Sequence, residues 1–181
     1  MSGFLNLDKV KIGPAAQVKI PRTSKNLYIT GYYALNVQAP EGTSGDWHSP
    51  FHWREGIDTP EEITLAGEGL EWNTNPIFGD FGIYEGKKRL VQMNLHIDDD
   101  ISEVFIANHF RAILDLLYYD LKKFGRADTL TGATYDWLDT PEQKALLLSK
   151  ALLLQKIFNE KETEALFKWI EQENKYEEEY R

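Results

Sequence analysis

The sequence predicts an α+β fold: a mostly antiparallel sheet from the N-terminal half, packed against one long helix, with two further helices at the C-terminus. Three observations carry this expectation. Residues 27–37 alternate as a strand does. Residues 103–124 carry an apolar stripe at helical spacing. From Thr140 onward a capping signal opens further helical patterns.

Leu27, Ile29, Tyr33, Leu35 and Val37 alternate with Tyr28, Thr30, Tyr32 and Asn36, a pattern rich in β-branched and aromatic residues, with Gly31 as a bulge. Residues 38–53 hold two prolines and two glycines and read as a long loop. Thr59-Pro60-Glu61-Glu62 suits one helical turn, with proline at its first position. Residues 63–72 read as extended, weakened by Gly67 and Gly69. Residues 81–84 and 90–97 flank Glu85-Gly86-Lys87-Lys88 and predict a hairpin. Its second strand would turn Val91, Met93, Leu95 and Ile97 inward and Gln92, Asn94, His96 and Asp98 outward.

Asp98 to Ser102 supplies negative charge and an N-cap for a helix over Glu103 to Phe124. Ile106, Phe110, Ile113, Leu117, Leu121 and Phe124 form its buried stripe, and Gly125 ends it. Residues 126–139 connect to a capping box at Thr140 and Gln143. The helix from Pro141 to about Phe158 is apolar around most of its circumference and must be covered on several sides. A last helix starts near Glu160, and its Glu-rich end, Glu171 to Arg181, is expected to be solvated and frayed.

Length and composition fit a single domain over residues 1–181. The chain has no cysteine, which excludes disulfides, thiolate nucleophiles and cysteine-bound zinc. A net charge of −9 disfavours a broad nucleic-acid surface; it suits either a basic partner or, more simply, an ordinary acidic domain kept in solution by its charge. Neither a signal peptide nor a membrane span is expected, which suits the cytoplasm.

The nine residues Gly45-Asp46-Trp47-His48-Ser49-Pro50-Phe51-His52-Trp53 carry two of the four histidines and two of the five tryptophans. His48 and His52 could chelate a metal from one helix face, but Pro50 disfavours helix at Ser49. In a loop they could converge with His96 and Asp98, residue types that zinc accepts. The alternative is that both histidines hydrogen-bond the backbone beside Trp47 and Trp53. No cofactor is therefore expected, a divalent metal being the alternative.

Gly42 to Asp46 could form an anion nest, or place Ser44 beside His48 as nucleophile and base. Its glycine offsets match neither a nucleophile elbow nor a P-loop, and an Asx-turn at Asp46 explains it more simply. Asp98-Asp99-Asp100 lacks the spacing of a calcium loop and reads as a helix start. On the long helix, Asn108, Arg111 and Asp115 lie together beside the core stripe, with His109 nearer the apolar face. Arg111 and Asp115 could be a surface pair worth about 0.3–0.5 kcal/mol, or Asn108, His109 and Arg111 could line a cleft.

Tyr33-Ala34-Leu35-Asn36, Gly45-Asp46-Trp47-His48 and Ala107-Asn108-His109-Phe110-Arg111-Ala112 occur in an order that resembles a group of small, largely uncharacterised bacterial proteins. The resemblance covers about residues 27–120. It implies a bacterial or phage source and a folded unit joining the loop to the long helix. It carries over no activity.

Two functions are expected from these features. The first is a non-enzymatic protein–protein interaction module, antitoxin-like or inhibitor-like. It would contact a protein partner or a second copy through Leu147, Leu148, Leu152 and Leu154 of the C-terminal helices. The alternative is a small hydrolase or nucleotide-directed enzyme at the 45–53 loop and the 103–124 helix. There Asp46 or His48 would act as general base, Arg111 would hold an anion, and Trp47, Asn108 and His109 would bind the ligand. In both readings Asp46, Trp47 and His48 dock against the helix bearing Asn108, His109 and Arg111.

Overall fold

The computed structural model describes residues 18–43 and 63–180. The fold is α+β. Four short strands, β1 (Leu27–Ile29), β2 (Leu65–Gly67), β3 (Ile83–Glu85) and β4 (Phe105–Ala107), form one sheet in the order β2-β1-β4-β3. The outer pairs are antiparallel, with Ile29 opposite Leu65 and Tyr84 opposite Ile106. The central pair is parallel, with Ile29 opposite Ile106, so the sheet is mixed. A parallel pair needs a long crossover, which everything between Ile29 and Phe105 supplies.

The expected strand over residues 27–37 stops at Ile29, and α1 (Gly31–Leu35) follows. Gly31 is not a bulge; its φ of +64° turns the chain into the helix. The alternation misled because Tyr28, Ile29, Thr30, Tyr33, Ala34 and Leu35 are all buried. When both parities are buried, period-two spacing does not separate strand from helix.

The expected 81–97 hairpin is absent. β3 pairs with β4 instead, and α3 (Lys87–Gln92) occupies the second half. Leu90 is completely buried while Val91 is 53% exposed, the reverse of the expected facing. Leu95 and Ile97 do point inward and His96 outward, in irregular backbone.

The long helix starts later than expected. Phe105–Ala107 is a central strand, and α4 (His109–Phe124) begins behind Asn108, whose side chain accepts from the Arg111 N–H at 2.9 Å. Sheet pairing on both sides of β4 outweighs the local helical pattern there. Gly125 closes the helix in the left-handed conformation, as its position predicts.

Beyond α4 come α5 (Ala133–Trp137), α6 (Pro141–Ala151), a 3-10 segment (Leu152–Lys156) and α7 (Glu160–Tyr180). The capping box is present: Thr140 Oγ1 accepts from Gln143 N–H, and Gln143 Oε1 accepts from Thr140 N–H, each at 3.2 Å. One apolar core runs from Val18 through the sheet and α4 to Leu154, Leu166 and Trp169. Leu147 and Leu154 are buried in it, so neither is available to a partner as expected. The Glu-rich end is not all solvated either. α7 continues through it, and Glu173 is completely buried. Its carboxylate accepts from Gly132 N–H at 2.7 Å, Thr134 N–H at 2.9 Å and Thr134 Oγ1 at 2.7 Å, which fastens α7 to the start of α5. Among the described residues no helix is long and apolar enough to cross a membrane.

Candidate functional site

Polar chemistry gathers under the sheet at α4. Arg111 and Asp115 are one turn apart, and both side chains are completely buried. The pair is therefore internal, not the surface pair that its spacing allows. A buried carboxylate needs compensation, and Asp115 has it on both oxygens. Oδ2 accepts from Tyr28 OH at 3.0 Å and Thr30 Oγ1 at 2.7 Å. Oδ1 accepts from Arg111 Nε at 3.1 Å and from Thr74 Oγ1.

The guanidinium is equally committed. Nη1 donates to the carbonyls of Gly79 and Phe81, each at 3.0 Å, and Nη2 to Asn75 Oδ1 at 2.6 Å. Nε also donates to Tyr28 OH at 2.9 Å, and the cation lies against the Tyr28 and Phe78 rings. Burial raises the Asp115 carboxyl above its ordinary range, while Arg111 and the three hydroxyl donors pull it back. Burial, then the Asp115 charge, raises the Tyr28 phenol. The cluster ties β1, α2 (Asn75–Phe78), the 79–82 turn and α4 into one unit.

Asn108 and His109 sit at the mouth of α4. Asn108 is the helix cap, and its Nδ2 donates to Glu41 Oε1 at 2.6 Å. His109 is completely buried. Its Nε2 lies 2.9 Å from the Val37 carbonyl, so that nitrogen carries the proton; Nδ1 is 3.4 Å from the Trp137 carbonyl. The ring meets Trp137 edge-on. Both residues hold loops to the helix start. Gly82 shows how tight this corner is: a Cβ there would lie 2.5 Å from Asn108 Oδ1 and 2.8 Å from Arg111 Cβ.

Among the described residues, two buried hydroxyls have no hydrogen-bond partner, Thr43 Oγ1 and Tyr84 OH. Burial raises the Tyr84 phenol; Arg89 lowers it and Glu41 raises it again.

His96 and Asp98 stand apart from α4. Both side chains are well exposed, and Nε2 is 3.7 Å from Asp98 Oδ1. Lys19 Nζ lies 3.7 Å from the other Asp98 oxygen, which sets a cation where a metal would need the carboxylate. With Val18 and Ile20 these side chains line a shallow pocket of about 160 Å³. Among the described residues no three metal-ligating side chains gather. Asp46, Trp47, His48 and His52 lie outside the described residues, as does their expected docking on α4.

A second pocket, of about 230 Å³, opens between α5 and α6 and is lined by Thr134, Tyr135, Leu138, Asp139, Thr140 and Lys144 among others. Its lining is held by folding contacts: Thr134 bonds Glu173, Thr140 caps α6, and Lys144 Nζ donates to the Glu173 carbonyl at 2.9 Å. None of Asn108, His109 and Arg111 reaches it.

Tyr28, Thr30, Thr74 and Asn75, which complete the buried network, carried no signal of their own in the sequence. One signal was available. Asp115 lies among Ala112, Ile113, Leu114, Leu116 and Leu117, and a carboxylate inside such a run requires internal donors. Comparison with protein-family models, curated proteins and solved structures returns no match for the chain.

Proposed function

We propose that the chain is a non-enzymatic protein–protein interaction module, antitoxin-like or inhibitor-like, whose C-terminal helices present the contact surface. One contrast supports this reading. The polar side chains best suited to chemistry, Asn108, His109, Arg111 and Asp115, are at most 2% exposed and spent on internal partners. Large apolar side chains are left out on the C-terminal elements, Leu146 41%, Leu152 40%, Ile157 38% and Phe167 47% exposed, as they are at Tyr32, Leu70, Val91, Phe124 and Tyr135 elsewhere.

Complete burial of such a side chain is worth about 1.5–3 kcal/mol, so finishing each of these contributes about 1 kcal/mol. Together they offer about 4 kcal/mol, on the order of a thousandfold in association. The net charge of −9 adds attraction toward a basic partner.

The test compares the full chain with a Leu146→Ser, Ile157→Ser, Phe167→Ser variant by sedimentation and by affinity capture from the source cells. Loss of self-association or of a stoichiometric partner in the variant is the expected result. Identical sedimentation and identical captured proteins for both chains would overturn the proposal.

A further inference from the structure

Phe124 ends the apolar stripe expected on α4, yet it is 58% exposed, so less than half of it is spent on packing. With Tyr119 it forms an aromatic notch. The two rings stand at 86°, with centroids 6.1 Å apart. Trp72, from the loop after β2, stacks on Tyr119 at 4.1 Å and covers one face of that ring. The Lys123 ammonium lies 4.7 Å from the same centroid, so it sits over the opposite face, and it is 5.6 Å from the Phe124 centroid. It also donates to the Tyr119 hydroxyl. The chain's own cation therefore fills the angle between two aromatic walls.

The surroundings of the notch favour positive charge. Ring faces present the negative part of the aromatic quadrupole. The last carbonyls of α4 add the negative end of its dipole. Glu71 lies near enough to act on the ammonium. The other cations at this helix end are already neutralised, Lys122 by Glu162 at 2.8 Å and Arg126 by Asp128 at 3.3 Å. Lys123 itself is held weakly. Its side chain is exposed, and a primary ammonium keeps most of its strong hydration in such a place.

We infer that the notch between Tyr119 and Phe124 is a binding site for a methylated ammonium, which displaces Lys123 on entering. A permethylated cation gives up less hydration than a primary ammonium and sets methyl groups against both rings. The site uses none of the residues of the C-terminal surface proposed above, and it stands or falls independently of that surface.

Nuclear magnetic resonance titration of the full chain with tetramethylammonium chloride, against sodium chloride at equal ionic strength, tests the site. Saturable shifts at the Phe124 ring and the Gly125 N–H are expected with tetramethylammonium alone, with a Kd on the order of 10 mM. Lys123→Ala removes the competing ammonium and tightens binding about threefold, whereas Phe124→Ala removes one wall and weakens it about threefold. Both side chains are exposed, so both variants keep melting transitions close to the parent's. Two arms separate the sources of such a cation. Acetyl-trimethyllysine amide binding about tenfold more tightly than tetramethylammonium assigns the site to a side chain of a partner protein, and equal affinity assigns it to a free small molecule. Shifts that do not saturate by about 100 mM, an affinity unchanged by Phe124→Ala, or unmethylated acetyl-lysine amide binding as tightly as its trimethylated form overturns the site.

Discussion

Replacing Arg111 by Met removes the cation at the centre of the buried cluster and roughly keeps its volume. Five groups lose a donor: the Asp115 carboxylate, the Tyr28 hydroxyl, the carbonyls of Gly79 and Phe81, and Asn75 Oδ1. Breaking a buried ion pair from one side costs about 3–5 kcal/mol. Each stranded carbonyl adds about 1–3 kcal/mol unless water reaches it. Gly79 is exposed, so its turn can rehydrate, and the net expectation is about 4–5 kcal/mol. That is a large share of the roughly 5–15 kcal/mol that holds a domain together.

The penalty also depends on pH. Burial already raises the Asp115 carboxyl, and Arg111 is the strongest influence opposing it. A carboxyl whose folded pKa lies above its unfolded value contributes stability that is fully present below about 3.9 and is lost as pH rises through the folded value. Without Arg111 that folded value climbs further. The Arg111→Met penalty is therefore smaller at about pH 5 than at about pH 8. Urea unfolding followed by tryptophan fluorescence reads both effects, because Trp169 is buried in the core. Adding Asp115→Asn should cost far less in the Arg111→Met background than in the parent, with a coupling of about 2 kcal/mol or more. A penalty under about 1 kcal/mol, or one independent of pH, would refute the account of Asp115 as a carboxylate held by Arg111.

Two further outcomes test the packing of the ends. Glu173→Ala strands the N–H groups of Gly132 and Thr134 and should lower stability by about 2–3 kcal/mol, while Glu173→Gln, which keeps one acceptor, costs less; chemical denaturation of both variants compares them. Gly82→Ala puts a Cβ 2.5 Å from Asn108 Oδ1 at a φ of +73°, so a loss of about 2–4 kcal/mol is expected, and a melting temperature equal to the parent's would show that the corner relaxes freely.

The capping box at Thr140 and the left-handed Gly125 were legible because both are local: the residues that specify them are within four positions of the groups they satisfy. Strand positions were less legible. Each strand is three residues long, too short to establish a period, and Phe105–Ala107 merges with the helical pattern that follows it. The hairpin expectation failed at Gly86 because β3 takes its partner from residues 105–107, a choice made by long-range pairing that no local signal encodes. The site residues followed the same division. Arg111 and Asp115 were found together from their spacing, but their depth was not, since an i,i+4 pair looks alike on a surface and in a core.

By itself the sequence determined the class of fold, the buried stripe of α4 from Phe110 to Leu121 but not the exposed Phe124, the Gly125 stop of α4 and the Thr140 cap of α6 but not the start of α4, and an acidic chain without thiol chemistry. These follow from spacing, propensity and composition, which act over a few residues or over the whole chain at once. Tertiary structure alone decided which polar groups are inside. Tyr28, Thr30, Thr74 and Asn75 come from two separate segments to meet Asp115 and Arg111, and Glu173 crosses from the last helix to Gly132 and Thr134. The reason is desolvation: a buried charge is tolerated only where donors and acceptors converge on it, and that convergence exists only once the sheet, α4 and α7 have packed.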